Sequence, residues 1–175
     1  AATFTNCTFS KNHAAYGGGA YTNGTSLIFN NSILWGNTSS QWGNQIETSG
    51  SAGTALNYSC YSNIYDNSKG IWDVEGNVSS ISPININPGF EDIDNNAFIL
   101  KGNSPCVNTG LSTYNSEPED IRGEARIQGT SIDMGAYEYT PGTDPAKTNL
   151  FVKHDATGAN NGSDWGNAFT VLQSA

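Results

Sequence analysis

A short pattern that occurs twice near the amino terminus constrains the fold more than any other feature of the chain. Residues 4–12 read FTNCTFSKN and residues 29–37 read FNNSILWGN, so that Asn6 aligns with Asn31 at an offset of 25. A period of roughly 20–50 residues is typical of chains that stack one small structural unit on the next. A unit of this size cannot bury its own apolar face, so its neighbours have to cover it.

The repeat continues beyond its second copy. Residues 20–21 align with residues 45–46 at the same offset, and Asn57 follows Asn31 at an offset of 26. Thr, Ile, Tyr and Phe lie between clusters of Gly, Asn and Ser, which favours short strands joined by tight corners. Asn tolerates left-handed backbone at corners and forms hydrogen-bonded ladders when stacked. The pattern predicts an all-β fold, a single-stranded parallel β-helix built of stacked rungs.

The balance of charge disfavours two classes of partner. The chain has a net charge of −9, with only 7 Lys and Arg residues. Nucleic acids and anionic membrane surfaces attract proteins largely through basic residues, so neither is an expected partner. No apolar run approaches the roughly 20 residues that span a bilayer, so membrane insertion is not expected either.

The sequence divides into four segments. Residues 1–86 carry the repeats and are predicted to form the β-helix rungs. Residues 87–140 lack the repeat and are predicted to form a closing segment. Residues 141–148 are rich in Pro, Gly, Thr and Asp and are predicted to be a linker. Residues 149–175 contain a strand-like run and the beginning of an amphipathic helix, which predicts a small cap-like extension.

Several motifs resemble one family. Residues 9–12 (FSKN) and 18–21 (GGAY) resemble the rungs of secreted bacterial β-helix proteins with polymorphic-outer-membrane-protein-type repeats. Residues 87–90 (NPGF), 104–106 (SPC) and 132–138 (IDMGAYE) resemble the closing segment of that group, the choice-of-anchor proteins. The resemblance implies a right-handed β-helix and a secreted protein that is extracellular or bound to the cell surface.

The order of these segments departs from the family. Residues 149–175 resemble the strand and helix that open such a β-helix, yet here they follow its close, while the chain begins inside a rung. We expect this extension to dock head to tail on the first rung of another copy, by strand addition, and to build a filament. The alternative is a slice of a longer tandem chain. The residues expected at the contact are Phe4, Leu150, Phe151, Val152, Trp165, Phe169 and Leu172.

The expected function is therefore a non-catalytic, structural or adhesive one, with other copies and glycans as partners. The alternative is a domain that binds or degrades polysaccharides, since β-helices often host lyases and hydrolases. A hydrolase needs two carboxylates about 5–9.5 Å apart, and the aligned rungs carry almost no acids. Trp35 and Trp42 would stack on sugars if they were exposed, but the pattern favours burial at rung corners.

Other candidate sites are weaker. Asp92, Asp94 and Asn96 offer alternating oxygen ligands for Ca²⁺ but lack the rest of a calcium loop, and no other cofactor is expected. Arg122 and Arg126, beside Glu124 and Asp133, are expected to form ion pairs that fix the closing segment. The cysteines leave two states open, a Cys60–Cys106 disulfide with Cys7 as a small buried residue, or three reduced thiols. Candidate glycosylation sites are Asn23, Asn37 and Asn77.

Overall fold

The computed structural model describes residues 1–51, 53–62, 71–73 and 78–142. Over these residues the chain is all-β, with most strands in parallel sheets and no α-helix, apart from one 3-10 turn at Ser112–Tyr114. The chain divides into two compact units, residues 1–140 and 141–175. The predicted linker from residue 143 onward and the predicted extension 149–175 lie outside the described residues.

The first two repeats contain the same four strands. The first repeat comprises β1 (Ala2–Thr5), β2 (Thr8–Ser10), β3 (His13–Tyr16) and β4 (Ala20–Asn23). The second comprises β5 (Leu27–Asn30), β6 (Ile33–Trp35), β7 (Thr38–Trp42) and β8 (Ile46–Ser49). Each strand pairs in parallel with its counterpart, and Phe4 lies opposite Phe29. The predicted offset of 25 is confirmed for β1 and β2.

A third and a fourth repeat extend the same sheets. The third contributes β9 (Thr54–Asn57), β10 (Cys60–Tyr61) and β11 (Ile71–Asp73), and the fourth contributes β12 (Val78–Ile81). The strand orders are β1-β5-β9-β12, β2-β6-β10 and β4-β8-β11, with β3 paired to β7. Successive repeats therefore lie side by side in order along the sequence.

Two predicted alignments are wrong by one residue. Ala20 pairs with Ile46 rather than with residue 45, because the register shifts between Ala14 and Tyr16 in the pairing of β3 with β7. Asn57 pairs with Asn30 rather than with Asn31, since the second repeat is longer than the first at this edge. Irregular repeats of this kind keep the stacking while the period drifts.

One corner recurs in all four repeats. The residue after each strand of the first sheet has a left-handed backbone, with φ of 54° at Asn6, 46° at Asn31, 49° at Tyr58 and 48° at Ser82. Asparagine tolerates this conformation well. The Asn31 side chain also donates to the Asn6 side chain at 3.2 Å. The predicted asparagine ladder is confirmed here, and again at the Asn12–Asn37 and Asn30–Asn57 pairs.

The interior is filled by alternating apolar side chains of the strands. One buried cluster contains Leu27, Phe29, Leu34, Ile46, Leu56, Tyr61 and Ile71, with Phe4 and Phe9 packed against it. A second cluster lies where the closing segment meets the repeats and contains Ile33, Cys60, Phe90, Leu100, Cys106 and Met134. The closing segment is thus part of the same folded unit.

The closing segment begins with a hairpin and continues largely without regular structure. Strands β13 (Phe90–Asp92) and β14 (Ala97–Leu100) pair in antiparallel fashion. Further along, the amide of Gly135 donates to the Asn31 carbonyl, and the Asn31 side chain bonds both the amide and the carbonyl of Leu111. Residues 104–138 therefore run along the corner of the repeats and are fixed there mainly by hydrogen bonds between side chains and backbone atoms.

Candidate functional site: the outer edge of the first repeat

On one side of the first repeat, no other strand of the described residues is paired with it. Strands β1, β2, β3 and β4 pair only with the second repeat, and no strand among the described ranges pairs with their other side. We call this side the outer edge. Its four strands have the sequences ATFT, TFS, HAAY and AYTN, which contain no proline, lysine, arginine or carboxylate. The outer edge therefore lacks the usual residues that protect a sheet edge from other strands.

The direction of the peptide groups on β1 follows from its hydrogen bonds. The amides of Ala2 and Asn6 both donate to carbonyls of the second repeat. Successive residues of a strand turn their peptide groups to opposite sides, so Thr3 and Thr5 face the outer edge. The Thr5 carbonyl accepts a bond from the Cys7 thiol at 3.3 Å. Within the described ranges, no residue is hydrogen-bonded to either threonine amide on this side.

The apolar interior reaches this edge without a polar cover. Phe4 stacks on Phe29 with ring centroids 5.2 Å apart, and Phe9 meets Phe29 edge to face at 5.6 Å. Phe29 is fully buried, whereas Phe4 and Phe9 are only half-buried. The rings of the first repeat thus carry exposed apolar surface at the outer edge, which a covering strand would bury.

The opposite end of the same sheet is polar. Phe4, Phe29, Leu56 and Ser80 occupy equivalent positions of β1, β5, β9 and β12. Ser80 is exposed, so the column of apolar side chains ends in a hydroxyl at the fourth repeat. Terminal repeats with a polar outer face are how stacked-repeat proteins stay soluble. The fourth repeat therefore ends this column with a polar side chain, although Ile81 of the same strand is 53% exposed.

The closing segment contacts the corner that follows β1. The Asn6 side chain donates to the Asn115 side chain at 2.6 Å, and the Arg126 guanidinium donates to the Asn6 carbonyl at 3.4 Å. The amide of Ala136 donates to the Thr8 hydroxyl at 3.0 Å. These bonds hold the corner of the first repeat in place, while no described strand pairs with its outer edge.

A glycine allows this close approach. Gly135 has φ of 98°, and a Cβ placed on it would lie 2.8 Å from the side chain of Ile33 and 2.9 Å from the hydroxyl of Thr8. Any other residue at this position would clash with the first two repeats and would also strain the backbone. The glycine of the IDMGAYE motif is thus explained by packing.

Buried carboxylates fix the fold of the closing segment. Asp120 accepts hydrogen bonds from the amides of Arg122, Glu124 and Glu138, and Asp133 accepts them from the amides of residues 108 and 139. Glu138 is 1% exposed and accepts a bond from the Asp133 amide at 3.1 Å. Burial, with the negative charge of Asp133 in addition, raises the pKa of Glu138 to about 7.

The two arginines of this segment have different partners from those predicted. Arg122 forms an ion pair with Asp120 at 3.2 Å rather than with Glu124 or Asp133, because the turn at residues 120–123 places the two side chains together. Arg126 is buried and donates to the carbonyls of Gly135 and Asn6. Burial lowers the pKa of Arg126, and nearby carboxylates oppose that shift. Arg126 thus bridges the closing segment and the first repeat through backbone carbonyls.

A cleft lies beside this corner. It has a volume of about 410 Å³ and is lined by residues 5–9 of the first repeat together with Glu117, Asp120, Ile121 and Arg126 of the closing segment. Its floor is therefore the turn that leads from β1 to β2. A segment that extended the first sheet at the outer edge would pass next to this cleft.

The predicted assembly residues are only partly placed. Phe4 lies on β1, at the outer edge, and its role in assembly stays a prediction. Leu150, Phe151, Val152, Trp165, Phe169 and Leu172 all lie outside the described residues. Their docking on another copy remains a prediction.

The predicted calcium ligands form a tight hairpin turn. The Asp92 carboxylate accepts bonds from the amide and the side chain of Asn95, which lower the pKa of Asp92. Asn96 adopts a left-handed backbone, with φ of 62°, and the Asp94 carbonyl accepts a bond from Lys11. Within the described part of the chain, no group of three or more His, Cys, Asp or Glu residues could hold a metal ion.

One of the three predicted glycosylation sites is wrong. Asn37 is 2% exposed, and its amide group bonds to Phe9, Asn12 and Gln45. The folded chain therefore cannot present Asn37 to a glycan. Asn23 is exposed at the end of β4, in agreement with a surface acceptor. Asn77 lies outside the described residues.

The two tryptophans of the second repeat have different environments. Trp35 packs against the second buried cluster, as predicted. Trp42 is 41% exposed, so the prediction of burial is wrong for this residue. Trp42 pairs with Tyr16, which is 45% exposed, and the Tyr16 ring lies 6.4 Å from that of Tyr21, which is 52% exposed. The sequence did not predict this exposed aromatic group, because an extra residue in β7, between Ser39 and Trp42, places Trp42 opposite Tyr16.

No helix within the described ranges is both long and apolar enough to cross a membrane. Comparison of the chain with protein-family models, with curated proteins and with solved structures found no match.

Proposed function

We propose that residues 1–86 form a right-handed, single-stranded parallel β-helix that residues 87–140 close, and that the protein is a non-catalytic structural or adhesive component of the cell surface or extracellular matrix. The support is the repeated parallel pairing of strands 25 to 27 residues apart. It is also the left-handed corner shared by four successive repeats.

The protein is proposed to assemble head to tail. The observation that carries this proposal is the outer edge, where unpaired amides of Thr3 and Thr5 lie beside the half-buried ring of Phe4. The occupant is residues 149–175 of another copy, whose sequence resembles an opening cap. Strand addition would pair the amides, and apolar residues of the cap would cover the ring. The contact is heterologous, so its repetition gives a filament.

The edge composition supports a specific partner rather than a permanently bare surface. Natural proteins blunt exposed edges with lysine, proline or a covering element. The outer edge of this chain has neither lysine nor proline in its four strands, and the fourth repeat shows that the same chain can end a sheet with a polar side chain. Such an edge is consistent with one that is covered in the working protein.

Thr3 offers the sharpest test. Proline at position 3 removes an amide that makes no bond within the described chain, so Thr3→Pro should keep the fold and block strand addition. We expect the wild-type protein and the matched control Thr3→Ala to form filaments that are visible in electron micrographs. The particle size measured by light scattering should increase with the concentration of either protein. Thr3→Pro should remain a folded monomer with an unchanged circular dichroism spectrum.

Two results would overturn the assembly proposal. One is a folded wild-type protein that stays monomeric at every concentration. The other is a Thr3→Pro variant that assembles as well as Thr3→Ala. Measuring the intact mass of the protein from its natural source distinguishes two cases. A mass of 18.5 kDa indicates a separate subunit. A larger mass indicates a longer tandem chain, in which the covering strand belongs to the same polypeptide.

A second candidate function is polysaccharide binding, and the exposed aromatic group of Tyr16, Tyr21 and Trp42 favours it. Exposed aromatic rings stack on pyranose rings, and the three strands that carry these residues contain no lysine or arginine. Quenching or enhancement of tryptophan fluorescence by neutral oligosaccharides, lost in Tyr21→Ala and kept in Ile86→Ala, would support this function. No response to neutral or acidic polysaccharides, and no depolymerisation, would exclude it.

A further inference from the structure

Two cysteines from distant parts of the sequence meet in the interior. Cys60 lies on β10 of the third repeat and Cys106 lies in the closing segment, and both are 0% exposed. They belong to the same buried cluster, together with Ile33, Leu100 and Met134. Both thiols are free in the structure. The two side chains therefore share one buried cluster across the boundary between the repeats and the closing segment.

The backbone of Cys60 is fixed by its neighbours on both sides. Its amide donates to the Ser32 carbonyl at 2.9 Å, and the residue pairs with Ile33 of the second repeat and Ile84 of the fourth. The Cys60 thiol also donates to the Ile86 carbonyl at 3.4 Å. Cys60 cannot move away from its position without separating three repeats.

The backbone of Cys106 is fixed just as firmly. Its amide donates to the Ser104 hydroxyl at 3.0 Å, and its carbonyl accepts a bond from the Met134 amide at 3.0 Å. The Ser104 hydroxyl in turn donates to the Pro88 carbonyl. Both backbones are thus fixed within one buried cluster, and an unstrained disulfide between them requires Cα atoms about 4.4–6.8 Å apart.

The third cysteine has a different environment. Cys7 is half-buried at the corner of the first repeat, and its thiol donates to the Thr5 carbonyl at 3.3 Å. It belongs to neither of the two buried clusters. The chain has 3 cysteines, so one of them is left over when the other two pair.

We propose that Cys60 and Cys106 form a disulfide that fastens the closing segment to the third repeat. The oxidant is a small-molecule disulfide such as oxidised glutathione. One cysteine thiolate attacks the oxidant and displaces one thiolate, which leaves a mixed disulfide. The second cysteine thiolate then attacks the protein sulfur atom and displaces the other. The two cysteines lose two protons and two electrons, and the oxidant becomes two thiols.

The bond is expected to form during folding rather than after it. The hydrogen bond with Cys106 and burial both raise the pKa of the Cys60 thiol, so the folded chain holds little of the reactive thiolate. Both sulfur atoms are also out of reach of any oxidant once the cluster has packed. For the same reasons the completed disulfide should resist reductants unless the protein is unfolded. The disulfide proposal depends on the proposed extracellular location only because that location would supply the oxidant.

Counting thiols tests the proposal directly. The full chain is unfolded, reduced and refolded in a buffer of reduced and oxidised glutathione, and is then unfolded again and alkylated without reductant. We expect one alkylated cysteine, Cys7, and three after reduction. Peptide mapping should recover residues 60 and 106 as a linked pair. The matched control Cys7→Ser should show no alkylated cysteine before reduction and two after it.

The proposal is overturned if three cysteines are alkylated after oxidative refolding, or if the linked pair includes Cys7. The wild-type measurement suffices even if variants at position 60 or 106 fail to fold. The outcome is independent of assembly, because the refolded protein is analysed as a single unfolded chain. Failure of the disulfide and failure of the proposed filament are therefore distinguishable.

Discussion

The aromatic column at the outer edge allows a quantitative prediction about stability. Phe29 is 0% exposed, and its ring contacts Phe4 in a stack at 5.2 Å and Phe9 edge to face at 5.6 Å. Truncation of a buried Phe to Ala costs about 3–5 kcal/mol. Because Phe29→Ala also removes two aromatic pairs, we expect it to lower the free energy of unfolding by about 4 kcal/mol. That is a large part of the roughly 5–15 kcal/mol that keeps a domain folded.

The same truncation at Phe4 should cost much less. Phe4 is half-buried at an open edge, so Phe4→Ala loses about half of the transfer free energy of the ring and leaves no closed cavity. We expect a cost of about 1–2 kcal/mol. The two positions are one repeat apart in the same column, which makes Phe4→Ala the matched control for Phe29→Ala.

Urea unfolding at a protein concentration below that of assembly measures both costs. The expected result is a gap of about 2–3 kcal/mol between the two variants, with Phe29→Leu close to the wild type because it keeps most of the volume. Equal costs at positions 4 and 29, or a cost below about 1 kcal/mol for Phe29→Ala, would refute the stacked column and the edge position of Phe4.

Two further predictions concern the corner of the repeats and the closing segment. Asn31→Ala should lower the free energy of unfolding by about 2–4 kcal/mol, because it leaves the amide and carbonyl of Leu111 without their partner and strains a left-handed residue. Asn31→Gly should recover about 1 kcal/mol of this loss, because it relieves the strain alone. Urea unfolding measures both variants. The pKa of Glu138 is about 7 in the folded chain, above the ordinary 4.5, so its contribution to stability is complete below pH 4.5 and is lost as the pH rises through 7. The resulting loss of stability is up to about 3 kcal/mol. In Glu138→Gln the free energy of unfolding should therefore fall less between pH 5 and 8 than in the wild type. The exposed control Glu117→Gln should keep the wild-type pH dependence.

The part of the fold that could be predicted from sequence is the part that repeats. The offset between Asn6 and Asn31 placed β1 beside β5 and anticipated the asparagine ladder. Beyond it the alignment slipped by one residue, because the second repeat has one extra residue between Ser39 and Trp42 and another between Ser49 and Thr54, and neither leaves a periodic signal. The sequence period predicts which strands stack on each other, but it does not predict how many residues each corner contains.

The closing segment was recognisable but its contacts were not. Its path is set by side chains that bond distant backbone atoms, such as Arg126 with the carbonyl of Asn6 and Asp120 with the amide of Glu138. These pairs have no fixed spacing in sequence, so the predicted ion partners Glu124 and Asp133 were wrong. The burial of Asn37 was missed for the same reason, since the sequon does not show that its amide bonds Gln45 in the interior.

Amide hydrogen exchange at β1 tests the central claim, that another strand covers the outer edge, most directly. The amides of Thr3 and Thr5 face that edge, whereas the amide of Asn6 is bonded to the second repeat at 3.0 Å and serves as the internal control. At low protein concentration we expect Thr3 and Thr5 to exchange freely and Asn6 to be protected. As the concentration rises through the assembly range, Thr3 and Thr5 should become protected while Asn6 stays unchanged. Exchange at Thr3 and Thr5 that stays fast in assembled protein would contradict the account.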